Sequence, residues 1–241
     1  MIPPHLLCSP EKVAKTVLLP GDPTRAQWIA EFFDDYEKVA QNREFLIFTG
    51  SYAGVPVSVC STGIGAPSAV IALEELIMCK ADTFIRVGTC GALQRDIALG
   101  DLVIPAAACR GDGTSQRYVP LQFPAVADID IVTALQKTAP DALTGIVWTD
   151  DSFYISDAEY WNALGILAVE MECSALFTVS LLKKVKTGAI LTVDGNLILG
   201  TCKKERKTMN HTEEVPEEAK KGIEKEIRAA LEAVKLLKSN K

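Results

Sequence analysis

Two histidines, His5 and His211, are all that 241 residues contain. That excludes a histidine-rich metal site, and because both lie near chain ends it argues against a Ser-His-Asp triad. Seven cysteines, at 8, 60, 79, 90, 109, 173 and 202, include no CxxC pair. A Cys/His zinc site therefore lacks its spacing. An odd number of thiols, most of them inside apolar segments, reads as free cysteine in a reducing compartment. No GK[ST] occurs, and Gly63-Ile64-Gly65 runs into Ala-Pro-Ser rather than completing GxGxxG. The chain thus lacks both a P-loop and the fingerprint of an NAD-linked oxidoreductase. No apolar run approaches the ~20 residues of a membrane-spanning helix. The start, Met-Ile-Pro-Pro-His, lacks the basic-then-apolar order of a signal peptide, so a cytoplasmic protein off the membrane is expected. Basic side chains are also in deficit, 25 Lys and Arg against 31 Asp and Glu, net −6. This argues against nucleic acid as a partner. It leaves room for a small anion held by a few local arginines.

What is present is core-forming material. Hydrophobic residues make up 48% and charged residues 23%, which fits a packed domain and not a disordered chain. The length suits one domain, residues 1–241, and no repeat or low-complexity linker divides it. Short β-branched runs predict strands at Thr16–Pro20, Phe45–Thr49, Val55–Ser61, Thr83–Val87, Leu102–Ala107, Gly145–Thr149 and Thr187–Val193. Helical patterns cover Thr24–Phe33, Pro67–Cys79, Asp130–Thr138, Asp157–Ala163, Cys173–Lys183 and Pro216–Leu237. In the last, Ile223, Ile227, Ala230, Leu231, Val234 and Leu237 recur at helical spacing with Lys and Glu between them. The alternation implies an α/β fold with a mixed central β-sheet flanked by helices on both sides. Ligands bind beyond the carboxyl ends of such strands, so chemistry is expected in loops 20–25, 61–68, 86–94, 150–154 and 192–196.

Four constellations carry possible chemistry, each with a plainer alternative. Gly21-Asp22-Pro23-Thr24-Arg25 follows the first strand and opens a helix, whose free N–H groups and Arg25 fork suit an anion. It also reads as an ordinary capped turn. Arg86 ends an apolar strand before Gly88-Thr89-Cys90-Gly91. A charge there needs a partner, either a salt bridge or an anion. Glu170 and Glu172 lie inside the apolar Val169-Glu170-Met171-Glu172-Cys173, where sugar hydroxyls or buried ion pairs could satisfy them. Asp194 follows an apolar strand and precedes Gly195. Apolar surroundings disfavour the charged form of a carboxyl, which suits a general acid; an Asp-Gly turn is the alternative. Arg43, in Asn42-Arg43-Glu44, passes on its own for a surface arginine. Trp28, Trp148 and Trp161 read as core or pocket wall.

Taken together these segments resemble the nucleoside phosphorylase family, which includes purine nucleoside, uridine and methylthioadenosine phosphorylases. The resemblance rests on Gly-Asp-Pro-Thr-Arg (21–25), Asn-Arg-Glu (42–44), Ile-Arg-Val-Gly-Thr-Cys-Gly (85–91), Phe-Pro-Ala-Val-Ala-Asp (123–128) and Val-Glu-Met-Glu-Cys (169–173), in that order. It implies phosphorolysis of a nucleoside by inorganic phosphate, giving free base and α-D-ribose 1-phosphate in nucleoside salvage. Phosphate is a co-substrate, and neither a cofactor nor a metal is implied. The resemblance places Gly21, Arg25, Arg86 and Thr89 on phosphate, with Arg43 from a neighbouring subunit. It places Glu172 on the 2′- and 3′-hydroxyls, Met171 against the sugar, and His5 from the neighbour near the 5′-hydroxyl. Cys90, Gly91, Phe153 and Val169 would line the base pocket, and Glu170 would count among the nucleoside-binding residues. Arg86, Glu172 and Asp194 would carry catalysis. Shared sites imply a homo-oligomer built of dimers, commonly a hexamer.

Base choice draws on two cues that disagree. Arg110-Gly111-Asp112-Gly113-Thr114-Ser115 and Phe123–Asp128 look like uridine phosphorylases. Yet the short stretch from Phe153-Tyr154 to Val169 holds neither the Gln nor the Arg with which those enzymes read uracil. Thr192-Val193-Asp194-Gly195 looks like purine enzymes, whose aspartate serves N7. A purine is the expected base and uridine the alternative. Further rivals are a nucleoside hydrolase on the same fold and a non-catalytic nucleoside-binding protein.

Overall fold

The computed structural model describes residues 2–155, 157–201 and 216–239. Cys202, His211 and the Thr212-Glu213-Glu214 lead-in to the last helix lie outside the described residues. The strands are β1 (Thr16–Leu19), β2 (Asp35–Asn42), β3 (Phe45–Tyr52), β4 (Val55–Cys60), β5 (Thr83–Ala92), β6 (Leu102–Gly111), β7 (Ala125–Val126), β8 (Leu143–Asp150), β9 (Ala168–Glu170) and β10 (Lys186–Asn196). The helices are α1 (Pro23–Ala30), α2 (Ala66–Met78), α3 (Gly113–Tyr118), α4 (Ile129–Thr138), α5 (Ala158–Ala163), α6 (Cys173–Lys183) and α7 (Glu217–Ser239). Among the described residues no helix is long and apolar enough to cross a membrane. Cys8, Cys60, Cys79, Cys90, Cys109 and Cys173 are free thiols.

One mixed sheet organises the chain, in the order β10-β6-β8-β9-β5-β1-β4-β3-β2 with β7 on β6. An added parallel pairing of β10 with β5 closes β5, β10, β6, β8 and β9 on themselves. Strand β1 shows why both faces must be covered. Leu18 enters the core shared with α1, α4 and α7, while Val17 and Leu19 enter the core shared with α2 and α6. A strand buried on both faces reads as a continuous apolar run. Each fully buried leucine stabilises by about 1.5–3 kcal/mol. A third core, with Val103, Val147, Phe177 and Leu191, fills the closed part of the sheet.

Two expected loops are strand instead. Segment 86–94 lies mostly within β5, and 192–196 within β10. The glycines there do not break the strands because β5 and β10 pair with each other, from Lys186 on Thr83 to Asn196 on Ala92. The register slips between Val193 and Gly195, leaving Asp194 as the extra residue. Asp194 is therefore not in a terminal Asp-Gly turn. It sits at a β-bulge, a feature that re-aims a side chain. Four short or exposed elements carry no sequence pattern: β2, β7, β9 and α3.

Candidate active site

A cavity of about 710 Å³ opens where β1, β5, β8, β9 and β10 end. Gly21, Arg25, Arg86, Thr89, Cys90, Gly91, Phe153, Val169, Glu170, Met171, Glu172 and Asp194 all line it. Residues separated by up to 173 positions thus share one wall. The order along it follows β5. From Arg86 to Gly91 is about 16 Å at the rise of an extended strand, and Asp194 stands beside Gly91 across the pairing with β10.

At the Arg86 end, three loops meet. Asp22 caps α1 by accepting from the Thr24 amide at 2.8 Å, and Pro23 follows as the first helical residue. The capped-turn reading is therefore correct, and the cap holds Arg25 at the cavity. The Gly63 amide donates to the Gly21 carbonyl at 2.9 Å, tying the loop after β1 to the loop after β4. Gly63 has φ +72°, and a Cβ there would stand 2.7 Å from Glu44 Cγ, so a side chain is excluded on both counts. Glu44 also lines the cavity. Its carboxyl is held below the usual range, chiefly by its own backbone amide and by the Ser68 hydroxyl, which donates at 2.7 Å.

Arg86 is the pivot of the site. It is buried, and of the two alternatives for its charge the salt bridge is present, to two carboxylates. Nε donates to Glu170 Oε2 at 3.0 Å and Nη2 pairs with Glu172 Oε2. Burial works against its charge, but Glu172 and Glu170 more than offset this and push its pKa up. A Cβ on Gly88 would lie 2.9 Å from Arg86 Cζ, so glycine is what lets the guanidinium fold across the strand. Glu170 is saturated within the chain. It accepts from Arg86, from Thr149 Oγ1 at 2.5 Å, and from the Glu172 and Cys173 amides at 2.9 Å. Glu172, at the start of α6, accepts the Gly65 amide at 2.6 Å and pairs with Arg86. Burial pushes the Glu172 carboxyl up, against the pull of Arg86. The two carboxylates sit on no common helix face: β9 ends at Glu170 and α6 begins at Cys173.

Cys90, Gly91, Phe153 and Val169 line the cavity together with Trp148, Asp150, Ser152, Ile155 and Leu197; Val169 pairs with Gly91, beside Asp194. Trp148 stacks on Trp161 with centroids 5.0 Å apart. Burial, with Asp194 and other carboxyls nearby, pushes the Cys90 thiol well up, so it is present as a neutral group. Burial likewise raises the Asp150 carboxyl. Asp150 was missed in the sequence because it ends β8 as an ordinary Asp before Asp151.

His5 and Arg43 do not line this cavity. The Glu75 carboxylate on α2 holds the N-terminal segment through the His5 and Leu6 amides and His5 Nδ1, the last at 2.6 Å. Asn42 Nδ2 donates to the His5 carbonyl at 2.7 Å, setting this segment beside the β2–β3 turn. Arg43 is exposed in that turn with φ +53°. The structure thus brings His5 and Arg43 together near Glu44, at the rim of the cavity that Glu44 lines.

The segment that resembled uridine phosphorylases has a structural task. Arg110 donates to Ser115 Oγ and to the carbonyls of Val119, Pro120 and Phe123. Buried Asp112 accepts from the Ser115 amide and hydroxyl and from Ser174 Oγ. These contacts hold a loop.

Comparison with known proteins agrees with this geometry. A family model described as the phosphorylase superfamily matches residues 15–235. A guanosine phosphorylase of Halorubrum lacusprofundi is 44% identical, over 97% of this chain and 98% of the relative. A uridine phosphorylase of Treponema pallidum is 40% identical, over 97% of this chain and 93% of the relative. The crystal structure of purine nucleoside phosphorylase from Toxoplasma gondii in complex with immucillin-H superposes with a TM-score of 0.90 at 30% identity, over 100% of this chain and 98% of that one. By site, fold and sequence, the chain belongs to the phosphorylase superfamily.

Proposed function

We propose that this chain cleaves the N-glycosidic bond of a purine nucleoside with inorganic phosphate, giving free base and α-D-ribose 1-phosphate. One observation carries the reading: Arg25 and Arg86 flank one end of a cavity that reaches Asp194 at a bulge, with Glu172 fixed to Arg86 on its wall. Gly21, Arg25, Arg86 and Thr89 take the phosphate. Glu172 binds the ribose hydroxyls, Met171 lies against the sugar, and Glu170 orients Arg86. Phosphate needs no further cofactor to react.

The chemistry follows from charge. Breaking the bond builds positive charge on the sugar and negative charge on the base. A dianion beneath the ring stabilises the first and then attacks the anomeric carbon; Asp194 donates a proton or hydrogen bond to N7 and stabilises the second. Each charge-assisted bond from a guanidinium contributes about 1.5–3 kcal/mol. Holding both reactants in one cavity adds proximity. His5 and Arg43 sit on the rim, and we assign them to the site of a neighbouring subunit, in an assembly of dimers such as a hexamer.

The preference for a purine draws on Asp194 and on the Halorubrum relative's name. The uridine reading draws on the Treponema relative's name. A panel of inosine, guanosine, adenosine, uridine and methylthioadenosine decides. Purine release that requires phosphate is expected. Uracil release alone establishes the alternative, and turnover indifferent to phosphate establishes a hydrolase.

A further inference from the structure

One buried ionisable group has no part in that chemistry. Glu226 lies on α7, in line with Ile223, Ile227 and Ala230, and is fully buried. Thr192 Oγ1 donates to its Oε2 at 2.7 Å. Its Oε1 is buried with no hydrogen-bond partner among the described residues. Thr192 pairs in register with Thr89, and Leu191 with Gly88. That pairing sets the carboxyl against the strand segment that forms the phosphate end of the cavity, with the Gly88 amide beside it.

The charges around it come from several elements. Arg25 on α1 acts on it most strongly, and Arg86 and the neutral Cys90 thiol on β5 also face it. From α4 and β4 come apolar residues of the shared core, among them Ile131, Leu135, Val57 and Val59. Burial outweighs the pull of the guanidiniums and pushes the carboxyl up to about 8. Arg86 is already answered by Glu170 and Glu172. Arg25 acts on Glu226 through space and not through an ion pair within 4 Å, and an anion arriving at the phosphate end repels this carboxylate.

We propose that Glu226 is a positioning residue that takes up a proton when phosphate binds, so that Arg25 meets the anion without a buried carboxylate behind it. The inference rests on the phosphorolysis reading. The balance is simple: with HPO4²⁻ the proton comes from solvent, with H2PO4⁻ the anion brings it. One O–H bond forms on the carboxyl, and it is lost again when the site empties.

The test is calorimetry of inorganic phosphate binding at pH 8.5, in buffers of different ionisation heat, on the wild type and Glu226→Gln. The wild type should take up more than about half a proton per phosphate, and the variant close to none. Gln keeps an acceptor for Thr192 and cannot titrate. In kinetics, the wild-type KM for phosphate should rise about fivefold more than the variant's between pH 8 and 9. Thr192→Val is the second variant. Without the hydroxyl the free enzyme already holds the proton at pH 8.5, so uptake should fall below wild type. Uptake unchanged in Glu226→Gln, or in Thr192→Val should Glu226→Gln fail to fold, overturns the proposal. A wild type that binds phosphate without proton uptake overturns it alone. A wild type that binds no phosphate overturns the phosphorolysis reading and this inference with it.

Discussion

At the scale of single residues, the two cavity arginines should behave differently because their surroundings differ. Arg25 sits half-buried at the cavity, whereas Arg86 is buried against two carboxylates. Arg25→Ala should raise the KM for phosphate by roughly 10- to 150-fold, the value of one charge-assisted bond, with little change in Tm. Arg86→Ala should raise KM and also destabilise by about 3–5 kcal/mol, because Glu170 and Glu172 lose their cation. A KM effect and Tm loss of equal size in both variants would contradict this division. Asp194→Asn should lower kcat for a purine nucleoside by about 10²–10⁴, the worth of a general acid. Uridine turnover should fall far less, because uracil has no N7. Equal losses would make Asp194 a structural residue of the bulge.

At the scale of elements, α7 shows both the reach and the limit of pattern reading. Its apolar stripe marks a helix, and Ile223, Ile227, Ala230, Leu231 and Val234 are indeed buried. Yet charges between apolar residues do not all face solvent. Glu226 stands three residues after Ile223 and four before Ala230, inside the stripe, and that spacing was the available signal. Its pKa, raised from the ordinary carboxylate range to about 8, fixes the sign of a stability effect. The folded chain holds this proton more tightly than the unfolded chain does. The contribution is complete at low pH and is lost as pH rises to about 8. Without phosphate, the Tm of Glu226→Gln relative to wild type should therefore climb from about pH 5 to about pH 8 and then level. A difference that stays flat across this range would contradict the shift. Strands β5 and β10 set another limit. Each ends in glycine and polar residues that locally read as loop, and pairing with one another, and of β5 with β9, keeps them extended. Strand β2 escaped for the opposite reason, since as an exposed edge strand it carries no alternation.

At the scale of the whole molecule, the α/β class, the mixed sheet and most elements were legible, because burial on both sheet faces writes itself as apolar runs. Most of the site was legible too, through short motifs at strand ends. The closure of β5, β10, β6, β8 and β9 was not, because it depends on pairings between distant segments. The different contacts of Glu170 and Glu172 were hidden as well, since β9 ends at Glu170 and α6 begins only at Cys173. The proposed function assigns His5 and Arg43 to a neighbouring chain's site. Arg43→Ala and Asp194→Asn, each inactive alone, should recover about a quarter of the sites after subunit exchange, because an isologous dimer then holds one intact site in each mixed pair. No recovery despite demonstrated exchange would place Arg43 in its own chain's chemistry.

The most direct measurement follows phosphorus. With inosine or guanosine and one equivalent of inorganic phosphate, the ³¹P spectrum should lose the phosphate signal and gain a sugar phosphate in step with base release. Base release with the phosphate signal unchanged would contradict the account, because water would then be the nucleophile.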